Sequence, residues 1–275
     1  MNIHEIKIMS YAPLPNRGVI LLQGPDVRDF LQGIITNDIT KLQDKQAIYS
    51  LLLSSQGRYL YDFFLVQKGK NILLECEKEY LLEIIEKLNL LKTYLKVKIR
   101  DISEKYKVGV MLDNSKEVEN AITFADPRHK LLGVRIISLV ENEIENIEVG
   151  NFEKYEQVRI QNLVASGAQD MIQNKSFPLQ FMIDKISGID FNKGCYIGQE
   201  VVARMHRMPL KKKIYLVASK HKLPTAGTKV TNDKQQEIGE LCSSINNIGI
   251  ALLNVEDVSN TNILFIDGIE IKIQN

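Results

Sequence analysis

The stretch AIYSLLLSSQGRYLYDFFLVQKGKNILLEC, residues 47–76, leaves this chain few ways to fold. Its three apolar runs are rich in Leu, Ile, Tyr and Phe, which suit a pleated surface. SSQG and QKGKN separate the runs, and their residues tolerate turn conformations. Three antiparallel strands joined by two tight turns are therefore predicted.

The flanking segments frame that sheet with helices. RGVILLQGPD reads as a strand, a Gly24-Pro25 turn and Asp26 as a helix N-cap. Val27, Phe30, Leu31 and Ile34 then recur at helical spacing, until Asn37 and Asp38 break the pattern. EKEYLLEIIEKLNL predicts a helix from Glu77 to about Leu90, with Leu81, Leu82, Ile85 and Leu88 on one face. LKVKIRDIS returns as a strand, and two more strands are expected around FADPRHKLLG within 106–140. A helix begins near Phe152 and is expected to close at Gly167, followed by an irregular polar stretch to about 191. Hairpins interrupted by single helices indicate an α+β fold, not a parallel α/β sheet. After Pro209 come five short strands at close spacing, the pattern of a small antiparallel barrel. The division predicted is an α+β region over 1–208, made of two interleaved units, and a barrel over 209–275.

Composition narrows the classes of function. The formal net charge of +1 gives no global field for nucleic acid or an acidic membrane, so any basic patch is local. Cys76, Cys195 and Cys242 are odd in number and far apart, which argues against a disulfide framework or a cysteine-rich zinc site. His4, His129, His206 and His221 show no ligand spacing, so no metal site is expected. With no secretory or transit pattern and no apolar run of membrane-spanning length, the expectation is a cytoplasmic protein, read as a monomer.

Chemistry concentrates in NKGCYIGQEVVAR, residues 192–204. Gly194 and Gly198 are expected to supply positive φ and a close backbone approach. QEVVARMH has helical character, so Cys195 falls just before a helix N-terminus, where free N–H groups stabilise an anion. Lys193, Arg204 and His206 add positive charge if the turn folds back, while Glu200 opposes it. On this reading the Cys195 thiolate is populated near neutral pH, below the usual value of about 8.5. The other reading is a small buried hydrophobe on a turn made only for geometry.

KGCYIGQE resembles the signature of the YgfZ-type folate-binding proteins, relatives of the aminomethyltransferase T-protein of glycine cleavage. VILLQGPDVRDFLQGIITNDI, LLLSSQGRYLYDFFL and ADPRHKLLGVR are similar to further segments of that family, and the C-terminal strands to its barrel. The resemblance implies two packed α+β units around a central cavity that binds tetrahydrofolate or a one-carbon derivative. It also implies a maturation or repair factor for iron–sulfur enzymes, including those that modify tRNA, with Cys195 as the functional thiol. The partners so implied are iron–sulfur client or assembly proteins, with no direct nucleic-acid contact and no membrane. The alternative is a tetrahydrofolate-dependent aminomethyl- or methyltransferase. Pro178-Leu179-Gln180 places an amide where the family often has Pro-x-Glu, and Met208-Pro209 stands where a glycine is usual.

The residues so assigned to the folate are Arg17, Asn37, Asp38, Tyr155, Arg159, Lys193, Gly194, Tyr196, Gly198, Gln199 and Glu200. Asn37 and Asp38 suit a pterin edge, yet they also terminate helices by themselves. Tyr155 and Arg159 lie one turn apart on a helix, where a ring can stack and a guanidinium can clamp a carboxylate. Against this stands a core-edge tyrosine with a surface salt bridge. Arg17 would have to stack on the ligand through its guanidinium. The run RMHRMPLKKK, residues 204–213, is either a solvated edge or an attractor of an acidic partner or a folate polyglutamate tail.

Overall fold

A computed structural model describes residues 9–44, 46–112, 118–142, 147–150, 152–260 and 263–274. His4 therefore lies outside the described residues. The order is β1 (Met9–Pro13), β2 (Arg17–Gln23), α1 (Val27–Ile34), β3 (Ala47–Leu53), β4 (Tyr59–Lys68), β5 (Asn71–Glu77), α2 (Leu81–Leu91), β6 (Lys98–Asp101), β7 (Tyr106–Met111), β8 (Ala121–Ala125), β9 (Val134–Leu139) and β10 (Ile147–Val149). It continues with α3 (Phe152–Gln161), α4 (Gly167–Asp170), α5 (Gln199–His206), β11 (Lys212–Ser219), β12 (Lys229–Asn232), β13 (Glu237–Ile245), β14 (Ile248–Asn254), α6 (Val255–Asn260), β15 (Leu264–Ile266) and β16 (Ile269–Gln274).

One sheet has the order β3-β4-β5-β2-β6 and another β10-β1-β7-β9-β8; β11-β14-β13-β12-β15-β16 close into a barrel. The three strands predicted over 47–76 are β3, β4 and β5. In β4 every residue from Tyr59 to Val66 is buried, which explains why its sequence does not alternate. The mixed α+β class is as predicted, and the barrel has six strands because ILFIDGIEIKI breaks into a hairpin, β15 and β16.

The chain separates into two compact units: 1–31, 39–49 and 63–155 form the first, and 32–38, 50–62 and 156–275 the second. In the first unit, Val19, Ile20, Leu22, Leu73 and Leu74 are buried along β2 and β5. In the second, Val217, Val230, Leu241, Ala251, Leu253 and Ile266 fill the barrel.

Three local expectations differ from what is observed. Helix α2 buries Leu81 and Leu88 as predicted, but its third buried residue is Ile84, while Leu82 is exposed and Ile85 half-buried. Helix α3 closes at Gln161, not Gly167: the chain turns at Leu163, which takes φ 53°, and Gly167 opens the short α4 instead. Three strands, not two, lie within 106–140, because β7 precedes the pair flanking the Asp-Pro-Arg turn.

Candidate functional site: the Cys195 turn

Helix α1 ends inside the second unit, and its end organises the site. Lys193 places its ammonium on that end, donating to the carbonyls of Gln32 at 2.8 Å, Ile35 at 2.7 Å and Asn37 at 3.0 Å. Carbonyls in the last turn of a helix lack intrahelical partners, and the dipole there favours a cation. Burial pushes the Lys193 ammonium down to about 8, against the pull of Asp38 and Asp190. It is thus protonated at neutral pH. The Tyr196 ring lies 5.0 Å from the same ammonium. Burial, then the nearby Asp190 charge, pushes the Tyr196 phenol up to about 12, so it remains neutral.

The Thr36-Asn37-Asp38 segment is fixed by the chain that leads into the motif. Thr36 Oγ1 donates to Gly188 O at 2.7 Å, and Asn37 Nδ2 donates to Ser187 O at 2.7 Å. The Asp190 N–H donates to Thr36 O at 3.0 Å, and Ser50 Oγ accepts from the Asn37 N–H at 3.0 Å. Asn37 Oδ1 accepts from the Asp38 N–H at 2.8 Å, and Asp38 Oδ1 accepts from Gln32 Nε2 at 3.1 Å. The two segments, distant in sequence, are therefore knotted together behind the turn.

Downstream, Gly198 caps α5 with φ 84°. A Cβ there would meet Ser54 O at 2.6 Å and Gly57 Cα at 3.0 Å. The close approach expected of this glycine is thus to the SSQG turn. Gly194 differs from the expectation: it has no positive φ, and nothing lies within 4 Å of a Cβ built on it. Between these two, Cys195 is exposed, whereas Cys76 and Cys242 are buried. Among the described residues no hydrogen bond reaches its sulfur. Burial, with Asp170 nearby, pushes the Cys242 thiol up. Gln199 and Glu200 open α5 as expected, and Gln199 N–H donates to Tyr196 O at 3.2 Å.

Arg159 of α3, in the same unit, is a buried node and not a surface pair. Its guanidinium donates to Asp170 at 2.8 Å, Glu156 at 2.8 and 3.0 Å and Val164 O at 2.9 Å.

Arg17 and Tyr155 belong to the first unit, in a buried ionic cluster that sequence reasoning did not assemble. Arg17 donates to Glu75 at 2.7 Å and Glu77 at 2.8 Å. Arg135 also pairs with Glu75, and Arg128 grips Asp126 through two bonds of 3.0 and 2.8 Å. The Tyr155 hydroxyl accepts from Arg128 at 2.8 Å and Arg135 at 3.2 Å. Guanidinium carbons of Arg135, Arg128 and Arg17 lie 4.3, 4.8 and 5.8 Å from the Phe64 ring centre. Burial alone would raise both carboxyls, but Arg135 and Arg17 hold Glu75 at about 2, and Arg128 holds Asp126 below the usual range. The sequence carried one signal for this cluster: single charges, Glu75 and Arg135, inside apolar strands.

Residues 15–135 match the model of the GCVT N-terminal domain, and residues 211–275 that of the CAF17 C-terminal β-barrel domain. The chain is thus similar to a GCVT N-terminal domain over its first half and to a CAF17-type barrel at its C-terminal end. In keeping with that likeness, the crystal structure of the glycine cleavage system aminomethyltransferase T from Bartonella henselae superposes with a TM-score of 0.75, covering 97% of this chain and 85% of that one, at 12% identity. The GCVT-type fold expected from the sequence is the one observed. Among curated relatives, the mitochondrial iron-sulfur cluster assembly factor IBA57 homolog of Mycosarcoma maydis is 29% identical over 90% of this chain and 74% of its own. The human mitochondrial iron-sulfur cluster assembly factor IBA57 is 29% identical over 89% of this chain and 77% of its own. These relatives correct the cytoplasmic location expected from the sequence, since their names place them in mitochondria. Address signals are read by receptors, and the lack of a recognisable secretory or transit pattern, on which the cytoplasmic expectation rested, does not report where a chain is delivered.

Proposed function

We propose that this chain acts in iron–sulfur cluster assembly or repair and that Cys195 is its working thiol. The observation that carries the reading is the presentation of that residue. Of three cysteines it alone is exposed, on a turn anchored on one side by Lys193 and on the other by Gly198. The names of the relatives support the process, and the motif supports the residue.

A thiolate can ligate iron or exchange with a sulfur centre. The described residues hold no group of three or more His, Cys, Asp or Glu placed to bind a metal ion. Iron–sulfur clusters are held by several thiolates. Cys195 is thus a transient ligand or exchange nucleophile whose cluster is completed by ligands from a client protein, tRNA-modifying enzymes among them.

Tetrahydrofolate is the cofactor implied by the resemblance, and five of the residues assigned to it are already engaged within their own units. Arg17, Arg159, Tyr155, Asn37 and Lys193 each spend their polar atoms on protein partners. The buried side-chain atoms without a partner among the described residues are Ser138 Oγ, Asp170 Oδ1 and Gln173 Nε2, none in that set. A folate carboxylate could take Arg17 only by leaving Glu75 or Glu77 with less compensation, a costly exchange for buried charge. Folate therefore takes no part in the proposed chemistry of Cys195, and the one-carbon transferase alternative is weakened with it. In a thermal-shift titration, tetrahydrofolate is expected to leave the melting temperature nearly unchanged; a saturable rise would restore the folate reading.

The decisive experiment is a deletion strain rescued by wild type or by Cys195→Ser, scored on tRNA methylthiolation and cluster-enzyme activities. Loss of rescue with unchanged melting temperature supports the proposal. Full rescue by Cys195→Ser would refute it.

A further inference from the structure

We infer that the second unit carries a docking groove for a partner protein, seated where α5 meets the first strand of the barrel. The segment it takes is acidic and carries one or two bulky apolar side chains. This deepens the proposal above and rests on its reading that Cys195 serves a protein client.

The groove has a volume of about 320 Å³, with Leu179, Met182, Met205 and Met208 in its apolar lining and Asp184, Lys185 and Lys213 in its polar lining, two cations to one carboxylate. That is the lower end of the range for ligand pockets, room for a pair of side chains rather than a whole helix. Three of the chain's seven methionines line it. Unbranched thioethers repack around different apolar shapes, which suits a surface that receives more than one client. Met208 is 60% exposed, an apolar side chain left to water unless something covers it.

Charge selects the occupant. Residues 204–213 hold five cations and no carboxylate, in a chain whose net charge is only +1. Arg204, Arg207, Lys211 and Lys212 are exposed and make no ion pair among the described residues. Lys185 has only its neighbour Asp184, at 3.3 Å. Arg204, His206 and Arg207 at the end of α5 suit the helix dipole, but Lys211 and Lys212 lie beyond its reach. A folate tail would satisfy the cations and leave the methionines uncovered; an acidic segment with apolar anchors satisfies both.

Position ties the groove to the thiol. His206, on its lining, stacks on Phe191 with ring centres 3.8 Å apart and planes at 24°. Phe191 precedes Cys195 by four residues, a span of at most about 14 Å. A partner held in the groove is therefore held within reach of Cys195.

The test is selection of short peptides from a displayed random library on the full chain, with the binders synthesised and measured by fluorescence anisotropy. The expected binders combine Asp or Glu with Leu, Phe or Met. They bind at least about tenfold more weakly to Arg204→Glu/Arg207→Glu and to Met208→Ser, and lose affinity with salt. They shift the methyl resonances of Met182, Met205 and Met208 and leave Met111 and Met171 unmoved. Library-wide failure, binders without acidic bias, equal binding to the variants, or displacement by poly-γ-glutamate alone would each overturn the inference. Cys195→Ser is expected to bind the peptides normally. If it does so and also rescues the deletion strain, the thiol reading falls and the groove stands; if binding fails while Cys195→Ser abolishes rescue, the reverse holds.

Discussion

Three guanidiniums are buried against three carboxylates in the first unit, whereas in the second the Lys193 ammonium is buried against three neutral carbonyls. Charge paired with charge holds Glu75 at about 2, so this cluster does not titrate near neutrality. The ammonium, with only dipoles as direct partners, drops to about 8 and can be deprotonated within an ordinary experimental range. The first arrangement stiffens a core. The second ties a thiol-bearing turn to a helix end at smaller energetic stake, which is where a working residue is better placed.

The largest effect belongs to the ionic cluster. Arg135→Met strips Glu75 of its bidentate partner and leaves Tyr155 with Arg128 alone. Breaking a buried pair by removing one partner costs about 3–5 kcal/mol. Urea denaturation should show that loss, and Arg135→Met/Glu75→Leu should recover much of it. If the double variant is no better than the single one, Arg17 rather than Arg135 is the principal partner of Glu75.

Next comes acid sensitivity. The folded Glu75 lies at about 2, below its ordinary 4.5, so its contribution is fully present above pH 4.5 and is lost as pH falls toward 2. Asp126 is shifted in the same direction. The Glu75 share alone is on the order of 3 kcal/mol. Stability measured from pH 5 down to pH 2 should fall more steeply for wild type than for the Arg135→Met/Glu75→Leu variant. Parallel curves would place the titrating groups elsewhere.

Lys193→Met should cost about 2 kcal/mol, by leaving the carbonyls of Gln32 in the last turn of α1 and of Ile35 just beyond it without their charged donor. Its folded value of about 8 lies below the ordinary 10.5, so between them the unfolded chain binds more protons and this group's contribution rises with pH. The variant should lose that rise. It should also alkylate faster at Cys195 with iodoacetamide, because the turn is released. Lys193→Arg should not restore the wild-type rate, since a planar fork cannot converge on three carbonyls around one point. An unchanged alkylation rate in Lys193→Met would show that Gly198 alone holds the turn.

These contrasts also mark what the sequence could carry. The strands over 47–76, α5 from Gln199 to His206 and the barrel after Pro209 were legible, because turn residues and apolar spacing are local signals. Cys195 was legible as the presented thiol, since Lys193-Gly194 precede it and Gly198 follows within three residues, while Cys76 and Cys242 lie in apolar strands. The partners of the site residues were not. Lys193 reaches carbonyls more than 150 positions earlier, and backbone acceptors leave no trace in side-chain identity. Arg17 and Tyr155 were singled out as ligand contacts when their partners, Glu75 and Arg128, lie 58 and 27 positions away. Ile84 takes the place of Leu82 and Ile85 on the buried face of α2 because LLEII offers apolar residues to either stripe.

The smallest effect separates the two glycines that flank the thiol. Both were expected to serve a positive φ, and only Gly198 has one, at 84°. Ala at 198 must take a left-handed backbone and push its Cβ toward Ser54 O, 2.6 Å away, and Gly57 Cα, 3.0 Å away. Both obstacles are backbone atoms of a tight turn, which cannot swing aside as a side chain would, so Gly198→Ala should cost about 1–3 kcal/mol. Gly194 has an ordinary φ and open space where a Cβ would go. Gly194→Ala should therefore fall within about 0.5 kcal/mol of wild type, or stabilise slightly by reducing the freedom of the unfolded chain. Thermal melts of the two variants side by side give the comparison, and the rescue assay adds its meaning. If Gly194→Ala keeps wild-type stability but loses rescue, the open space beside Cys195 is reserved for the incoming partner. If it keeps both, Gly194 is spacing alone, and the thiol depends on Lys193 and Gly198 for its presentation.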